Sequence, residues 1–522
     1  MDANSVGFGA VVAERAALGS KVAFSDTSRS VTFLEFDERV RRLVDALSAS
    51  GLRPGDRIAM ISRNCVSAVE CIAACRAGFI LVPLNWRLGA PDLVKLLRDC
   101  DPQALVCDEP WSVLADESIL PSLPVERRVV FGPARSGWLG YEDLVTSGNS
   151  SARSEVGGGD DPALLIYTSG TTGDPKAATI SHRGLLANGR ASSEEAIGVS
   201  ADDTVLCVMP MFHVGGLCYY LLPSFMAGAT TIIRPVFEVN DLVDCLGKMG
   251  ITNVHLVPTM VADLIAHPDA AAATRGLKRV VYAGSTMPIA LLERAMVTLT
   301  ECSFSQSYGS TEGGIVTTLG PEEHREAARA SESAQLLTSC GKPLSGTDLR
   351  IVDDAGGDCA AGELGEVLVR SERTMSGYWR QPDRTAAVFD GHHARTGDIG
   401  YLDEDGYLYL VDRKGDMIVT GGENVFPSEV EQILYRCPDV AEASVFGVPD
   451  PRWIERVTAA VVLHPNATAT ADSIAAFAKQ HLASYKCPKA VHIVTELPRT
   501  GVGKVSRQQL KRIFTVSPTS GD

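Results

Sequence analysis

The sequence predicts an α/β protein: a large N-terminal domain of α/β sheets carrying a β-rich subdomain, followed by a small α+β C-terminal domain. Three observations predict it. Apolar, strand-like runs alternate with helix-like segments from Arg57 to Gly284, the pattern of sheets whose strands are buried between helices. From Leu349 the texture changes to short strands and Gly-rich turns. At 522 residues the chain also exceeds what one hydrophobic core ordinarily organises, so more than one domain is expected.

Taken in order, Arg57–Ser62 (RIAMIS) and Ile80–Asn85 (ILVPLN) read as strands flanking a helical pattern over Val66–Arg76. Helical Pro91–Asp99 leads to a strand at Ala104–Asp108. Thr204–Pro210, Thr230–Pro235, Asn253–Pro258 and Arg279–Gly284 are further strands, with helical segments such as EVNDLVDCLGKMG between them. LRIVDD, GEVLVR and GYLYLVD form the β-rich part. After DRKGD (Asp412–Asp416) the texture changes again. MIVTGG is a strand, and Ser428-Glu429-Val430-Glu431 fits a capping box ahead of the helix VEQILYR. ASVFGVP and VTAAVVL are strands, ADSIAAFAKQHLA is a helix and AVHIVTEL is a strand. The break divides the chain into domains at 1–414 and 415–522, the second of ordinary small-domain size. No internal repeat is evident, and the terminal SPTSGD reads as disordered.

Composition narrows the function. Hydrophobic content of 45% and charged content of 21% are ordinary for a globular protein. A net charge of −16 argues against nucleic-acid binding, though an anionic ligand needs only a local basic site. No apolar run reaches membrane-spanning length; the best, Cys71–Val82, is short and carries Arg76. The N-terminus has no basic region before an apolar core, so no signal peptide is evident. The 13 cysteines are scattered without C-x-x-C pairs, as expected of reduced thiols in the cytoplasm.

The chemistry sits in five segments. YTSGTTGDPKAAT (Tyr167–Thr179) gathers threonines, a serine, glycines and a lysine behind the apolar run Ala163–Ile166. Glycines let backbone N–H groups approach an anion, hydroxyls donate further bonds and a lysine adds charge, so the segment suits phosphate. It is not a Walker loop, because Gly173 is followed by Asp174-Pro175-Lys176. QSYGSTEGG (Gln306–Gly314) holds an aromatic, small hydroxyls and one acid. Thr396–Asp416 places Asp398 at a glycine turn and Arg413 after a strand. GGEN (Gly421–Asn424) is a glycine turn, and PRTGVGKVSR (Pro498–Arg507) carries Lys504 in a glycine-rich loop. Each segment alone is a weak signal; an acid at a turn is more often structural.

Together and in this order the segments resemble the adenylate-forming superfamily of acyl-CoA synthetases, peptide-synthetase adenylation domains and beetle luciferases. The resemblance runs from about residue 30 to 510 and implies a mobile C-terminal domain. It implies a ligase with two steps: a carboxylic acid attacks the α-phosphate of ATP, giving an acyl-adenylate and pyrophosphate, and coenzyme A then displaces AMP. By the same resemblance Thr168, Ser169, Gly170, Thr171, Thr172, Gly173 and Lys176 hold the β- and γ-phosphates. Glu312 binds Mg²⁺, Thr311 bonds the α-phosphate, and Tyr308 stacks on adenine with Gly284, Ser285 and Ser307 around it. Asp398 takes the ribose hydroxyls with Arg413 beside it, and Lys504 meets the α-phosphate and the attacking carboxylate. Rotation near Asp412–Asp416 then brings up Gly421 and Gly422 as a path for pantetheine, and His213 gates the acyl and thiol channels. Arg452 or Trp453 serves the nucleotide of coenzyme A near Lys486.

The chain departs from the family in places. Ala177 follows Lys176 where glycine is common, Gly415 stands at the hinge position, and Cys487 stands where a basic residue is common. His213 replaces the acid that amino-acid-activating members use for the substrate amine. The expected substrate is a medium or long fatty acid or an aromatic or alicyclic acid, in a pocket made by His213–Leu217, Val257–Met260, Tyr282–Gly284 and Gly309–Val316, with Gly313 and Gly314 leaving space. The alternatives are delivery of the acyl group to a carrier-protein thiol and a non-catalytic nucleotide sensor on the same fold. A homodimer is compatible with all of them.

Overall fold

The computed structural model describes residues 6–112, 123–151, 156–168, 175–329, 331–499 and 505–516. Four sheets organise them. A nine-stranded sheet runs in the order Lys342–Pro343, Gly314–Leu319, Ser303–Ser310, Arg279–Ala283, Asn253–Leu256, Thr204–Cys207, Thr230–Ile233, Val22–Ser25, Ser30–Thr32. Its interior pairs are parallel and its edges antiparallel. An eight-stranded sheet runs Gly377–Tyr378, Lys176–Ser181, Pro162–Thr168, Ile80–Leu84, Arg57–Ile61, Ala104–Asp108, Arg128–Phe131, Leu139–Gly140. Most interior positions of the parallel strands are buried and apolar.

The two large sheets share a core. Phe24, Cys207 and Ile233 of the first belong to one buried cluster with Met60, Leu81, Val106 and Ile166 of the second. Phe225 sits at its centre, within 5.4 Å of Phe24 and 5.3 Å of Phe33 between ring centroids. This shared core fixes the strand ends of one sheet relative to those of the other, which is what a site built from both requires.

The β-rich part is an antiparallel sheet of Asp348–Val352, Gly365–Arg370, His393–Leu402 and Phe389–Asp390, with Leu408–Arg413 on His393–Leu402. The chain then turns over Arg413–Asp416, where the Asp416 N–H donates to the Arg413 carbonyl at 2.9 Å. It enters the smaller C-terminal domain at Ile418–Thr420, whose sheet also holds Glu423–Val425, Ile454–Leu463, Val440–Asp450 and Ala490–Ile493. Helices Pro427–Leu434 and Ala471–His481 pack on it.

The capping box expected at Ser428 does not form. Pro427 supplies the first helical position and Phe426 is the N-cap, with no side-chain cap. Proline favours that position because its missing N–H has no intrahelical partner there. The Ser428 hydroxyl donates to the Val411 carbonyl and its N–H to Asp412 Oδ2 at 2.8 Å. Glu431 accepts from Val445 N and from Arg507. Among the described residues no helix is long and apolar enough to cross a membrane.

Candidate active site

The phosphate segment is the end of a hairpin. Pro162–Thr168 and Lys176–Ser181 pair antiparallel with Thr168 opposite Lys176. Ser169, Gly170, Thr171, Thr172 and Gly173 lie outside the described residues. The return strand is held from its other edge by Gly377–Tyr378, with Tyr378 opposite Ala178. Gln381 donates through Nε2 to the Pro175 carbonyl at 3.0 Å. Ala177 is fully buried in the core of this sheet, so its methyl group packs inside.

Tyr378 joins two functional segments. Its hydroxyl donates to Glu312 Oε1 at 2.8 Å, and Lys176 Nζ lies 5.8 Å from its ring centroid. Burial and the neighbouring Glu312 carboxylate push the phenol pKa up, so it stays a donor. Nothing in its sequence context had marked it; only the antiparallel pairing with the lysine strand puts it there. Thr311, beside Glu312, is buried.

The residues expected at the nucleotide come from two sheets. Gly284, at the end of Arg279–Ala283, has a φ of +89° that glycine tolerates, and Ser285 is exposed beyond it. Tyr308 comes from the adjacent strand and donates to Asp398 Oδ2 at 2.6 Å. Arg413 Nε sits 3.1 Å from Asp398 Oδ1, a contact set by the cross-strand pairing of the two residues. Asp398 is only 6% exposed and raises the Arg413 pKa. Its orientation is fixed by these charge-assisted bonds. The Ser307 hydroxyl is buried without a hydrogen-bond partner among the described residues.

On the acyl side, His213 caps the short helix Val214–Gly216, accepting the Gly215 N–H through Nδ1 at 3.3 Å. Tyr219 donates to the Ser310 carbonyl at 2.6 Å. Two expectations about the pocket fail. Tyr282 faces away from it, bonded to His324 at 2.8 Å, because side chains alternate along a strand and Val281 and Ala283 take the other face. Gly313 and Gly314 do not open space for substrate. A Cβ at Gly313 would lie 2.6 Å from Val369 Cγ2, and one at Gly314 2.6 Å from Arg373 Cβ, so both serve close packing.

In the C-terminal domain Gly421 and Gly422 have φ of +61° and +89°. The Gly421 N–H donates to the Trp453 carbonyl at 2.8 Å, and the Trp453 ring lies against it. Arg452 and Lys489 stand over the Trp453 ring at 4.8 and 5.8 Å. Lys486 is taken up by Glu429 at 2.6 and 2.8 Å, and Cys487 is buried. Lys504 lies outside the described residues. Arg507 is gripped by Glu431, Asp412 and Asp416 at 2.9, 3.0 and 3.0 Å.

Comparison with known proteins identifies the family. The model of the AMP-binding enzyme family matches residues 12–379, and that of the AMP-binding enzyme C-terminal domain matches 429–504. The chain belongs to the AMP-binding enzyme family. It is an ATP-dependent, AMP-forming ligase of that adenylate-forming kind. An indoleacetate–CoA ligase of Aromatoleum aromaticum is 36% identical over 94% of this AMP-binding enzyme and 95% of that protein. A feruloyl-CoA synthase of an Amycolatopsis species is 34% identical over 93% and 94%. Among solved structures, o-succinylbenzoate CoA synthetase from Bacillus subtilis, in complex with its acyl-adenylate intermediate, superposes with a TM-score of 0.82. It is 29% identical and covers 96% of this chain and 97% of that one.

Proposed function

We propose that the chain joins an aromatic or alicyclic carboxylic acid to coenzyme A in the cytoplasm, using Mg·ATP. The observation that carries this reading is a pair of carboxylates each held by a tyrosine hydroxyl, one in the turn after Ser303–Ser310 and one within His393–Leu402. Glu312 is held by Tyr378 beside Lys176, and Asp398 is held by Tyr308 and Arg413. The relatives named for indoleacetate and ferulate supply the acid class.

The residues divide the work. Asp398 accepts the ribose hydroxyls, and Tyr308 presents its ring to the adenine while its hydroxyl keeps Asp398 in place. Thr168 and Lys176, with Ser169, Gly170, Thr171, Thr172 and Gly173, bind the outgoing phosphates, and Thr311 bonds the α-phosphate. Glu312 is a single oxygen donor set beside a hydroxyl and a cation, which suits Mg²⁺ held mainly by phosphate oxygens and water. When bound, that ion supplies charge neutralisation at the phosphates. Lys504 bridges the α-phosphate and the acid's carboxylate, placing the two reacting groups together. His213 stands between the acid and the thiol path. The hinge is the turn at Gly415, which separates a domain at 1–414 from one at 415–522. Rotation there exchanges Lys504 for Gly421, Gly422 and Trp453.

A pyrophosphate-release screen across carboxylic acids tests the reading. Pyrophosphate and AMP are expected with an aromatic acid, ATP and coenzyme A. ADP as product, or no acid-dependent release, overturns it.

A further inference from the structure

The C-terminal domain holds an apolar residue in a backbone conformation that ordinarily belongs to glycine. Among the described residues, four other than glycine have a positive φ: Asp101, Arg380, Asn466 and Ile454. Ile454, at +72°, is the only β-branched one, and a branched side chain is a true outlier in the left-handed region. The hairpin accounts for the angle. Asp450 stands opposite Ile454, and its Oδ1 accepts the Arg452 and Trp453 N–H groups at 2.9 and 3.1 Å. A loop this short closes through a left-handed residue, a role that glycine or asparagine fills at little cost. The loop explains the angle and leaves the isoleucine unexplained.

The fold does not use the side chain. Ile454 is also paired with Thr420, and residues opposed in an antiparallel ladder ordinarily share a face. Thr420 is 2% exposed and Ile454 64%, so the left-handed backbone turns the isoleucine out to solvent. Glu455, which follows, is held inward by accepting the Val419 N–H at 2.9 Å. An exposed isoleucine alone needs no account. One that also carries a strained backbone does, because such residues cluster where a protein binds or reacts.

Its neighbours indicate the ligand. Ile454 borders Gly421 through both strands. It follows Trp453, whose carbonyl accepts the Gly421 N–H and whose ring lies against Gly421, and it is paired with Thr420, which precedes Gly421. Arg452 and Lys489 place positive charge over the Trp453 ring, whereas Ile454 is aliphatic. The hairpin tip thus offers charge, then aliphatic surface, then the glycine turn. Coenzyme A carries the same order of chemistry: phosphates, an uncharged arm with a geminal dimethyl group, and a thiol.

Resting on the ligase reading and its hinge, we propose that Ile454 selects the acceptor thiol: in the thiol-transfer pose its side chain packs on the dimethyl-bearing arm of coenzyme A, and the strained backbone is what presents it there. A residue kept for binding at the expense of the fold has a distinctive signature, since replacing it strengthens the protein and weakens the function.

The test uses the full chain, with synthetic indole-3-acetyl and feruloyl adenylates as acyl donors and coenzyme A or N-acetylcysteamine, which lacks the dimethyl arm, as acceptors. Ile454→Gly and Ile454→Asn, the two replacements that suit this backbone, should each melt at a higher temperature than wild type. Each should lower kcat/KM for coenzyme A roughly tenfold, the scale of one lost aliphatic contact, while transfer to N-acetylcysteamine and pyrophosphate release from ATP stay at wild-type rates. Unchanged kinetics with coenzyme A overturn the proposal. So does an equal loss with both thiols, which would assign Ile454 to the domain pose, and so does a lower melting temperature in both variants, which would assign it to the fold. If one variant does not fold, the other decides. Wild-type transfer of either acyl group to coenzyme A upholds the ligase reading whatever the variants do; transfer of neither overturns that reading and this one together.

Discussion

At the scale of single residues, the site depends on side chains that hold other side chains. Tyr378 touches Glu312 through one hydrogen bond. Tyr378→Phe should lower the kcat of pyrophosphate release roughly tenfold, the effect of losing one bond to a charged group, and raise the Mg²⁺ concentration needed for half-maximal rate. An unchanged Mg²⁺ dependence would separate Tyr378 from the function of Glu312. Lys504 gives a sharper contrast. Lys504→Ala should slow adenylation by about 10²–10³, while a supplied acyl-adenylate still reacts with coenzyme A at near the wild-type rate. Equal loss in single-turnover assays of both half-reactions would assign the lysine to folding or general binding. Tyr308, Asp398, Arg413 and Glu312 could be singled out in the sequence because their segments stand in a recognisable order. Tyr378 could not. It gains its meaning from a strand neighbour far away in the chain, Ala178 on the lysine strand, and no local pattern records that pairing.

At the scale of elements, most parallel strands were readable because buried strands are rich in apolar residues; Ser303–Ser310, with its serines and glutamine, was not. The helix start at Pro427 was misread. Ser428 fits a capping pattern, yet proline already sets the first turn, and a tertiary partner, Val411, takes the serine hydroxyl. Gly313 and Gly314 were misread for a related reason, since sequence cannot tell a glycine that makes room for a ligand from one that makes room for Val369 or Arg373. The turn Arg413–Asp416 is the element with the clearest mechanical test. Among the described residues nothing lies within 4 Å of a Cβ at Gly415, so a ring fits sterically there. Proline in the third position of such a turn still restricts both its own φ and the residue before it. Gly415→Pro should therefore keep pyrophosphate release within a few-fold and slow thioester formation from acyl-adenylate by at least tenfold. Thioester formation at the wild-type rate would move the hinge elsewhere.

At the scale of the whole molecule, several contacts tie the C-terminal domain across the proposed hinge. Ser428 bonds Val411 and Asp412, and Arg507 bonds Asp412. Gln432 reaches the larger domain directly, accepting the Ile289 N–H at 3.3 Å. Asp412 precedes Gly415, so rotation at Gly415 must release its bonds to Ser428 and Arg507. Asp412→Ala removes them and leaves Arg507 paired with Glu431 and Asp416. The variant should populate other domain orientations more, seen as a broader distance distribution between fluorophores on the two domains. A distribution identical to wild type would show that the Asp412 bonds do not hold the pose.

The grip on Arg507 has a kinetic consequence. Arg507 follows Lys504 closely in sequence and is clamped to residues on either side of the pivot, so a swing of the C-terminal domain about the proposed pivot would have to break one side of that clamp. A body of this size moving through water is slowed by friction in a way that bond-making is not. Thickening the solvent with sucrose should therefore reduce steady-state turnover nearly in proportion to relative viscosity, while leaving single-turnover pyrophosphate release from preassembled enzyme almost unaffected. The same drag on both rates would place the slow event in substrate encounter and not in the stroke between half-reactions.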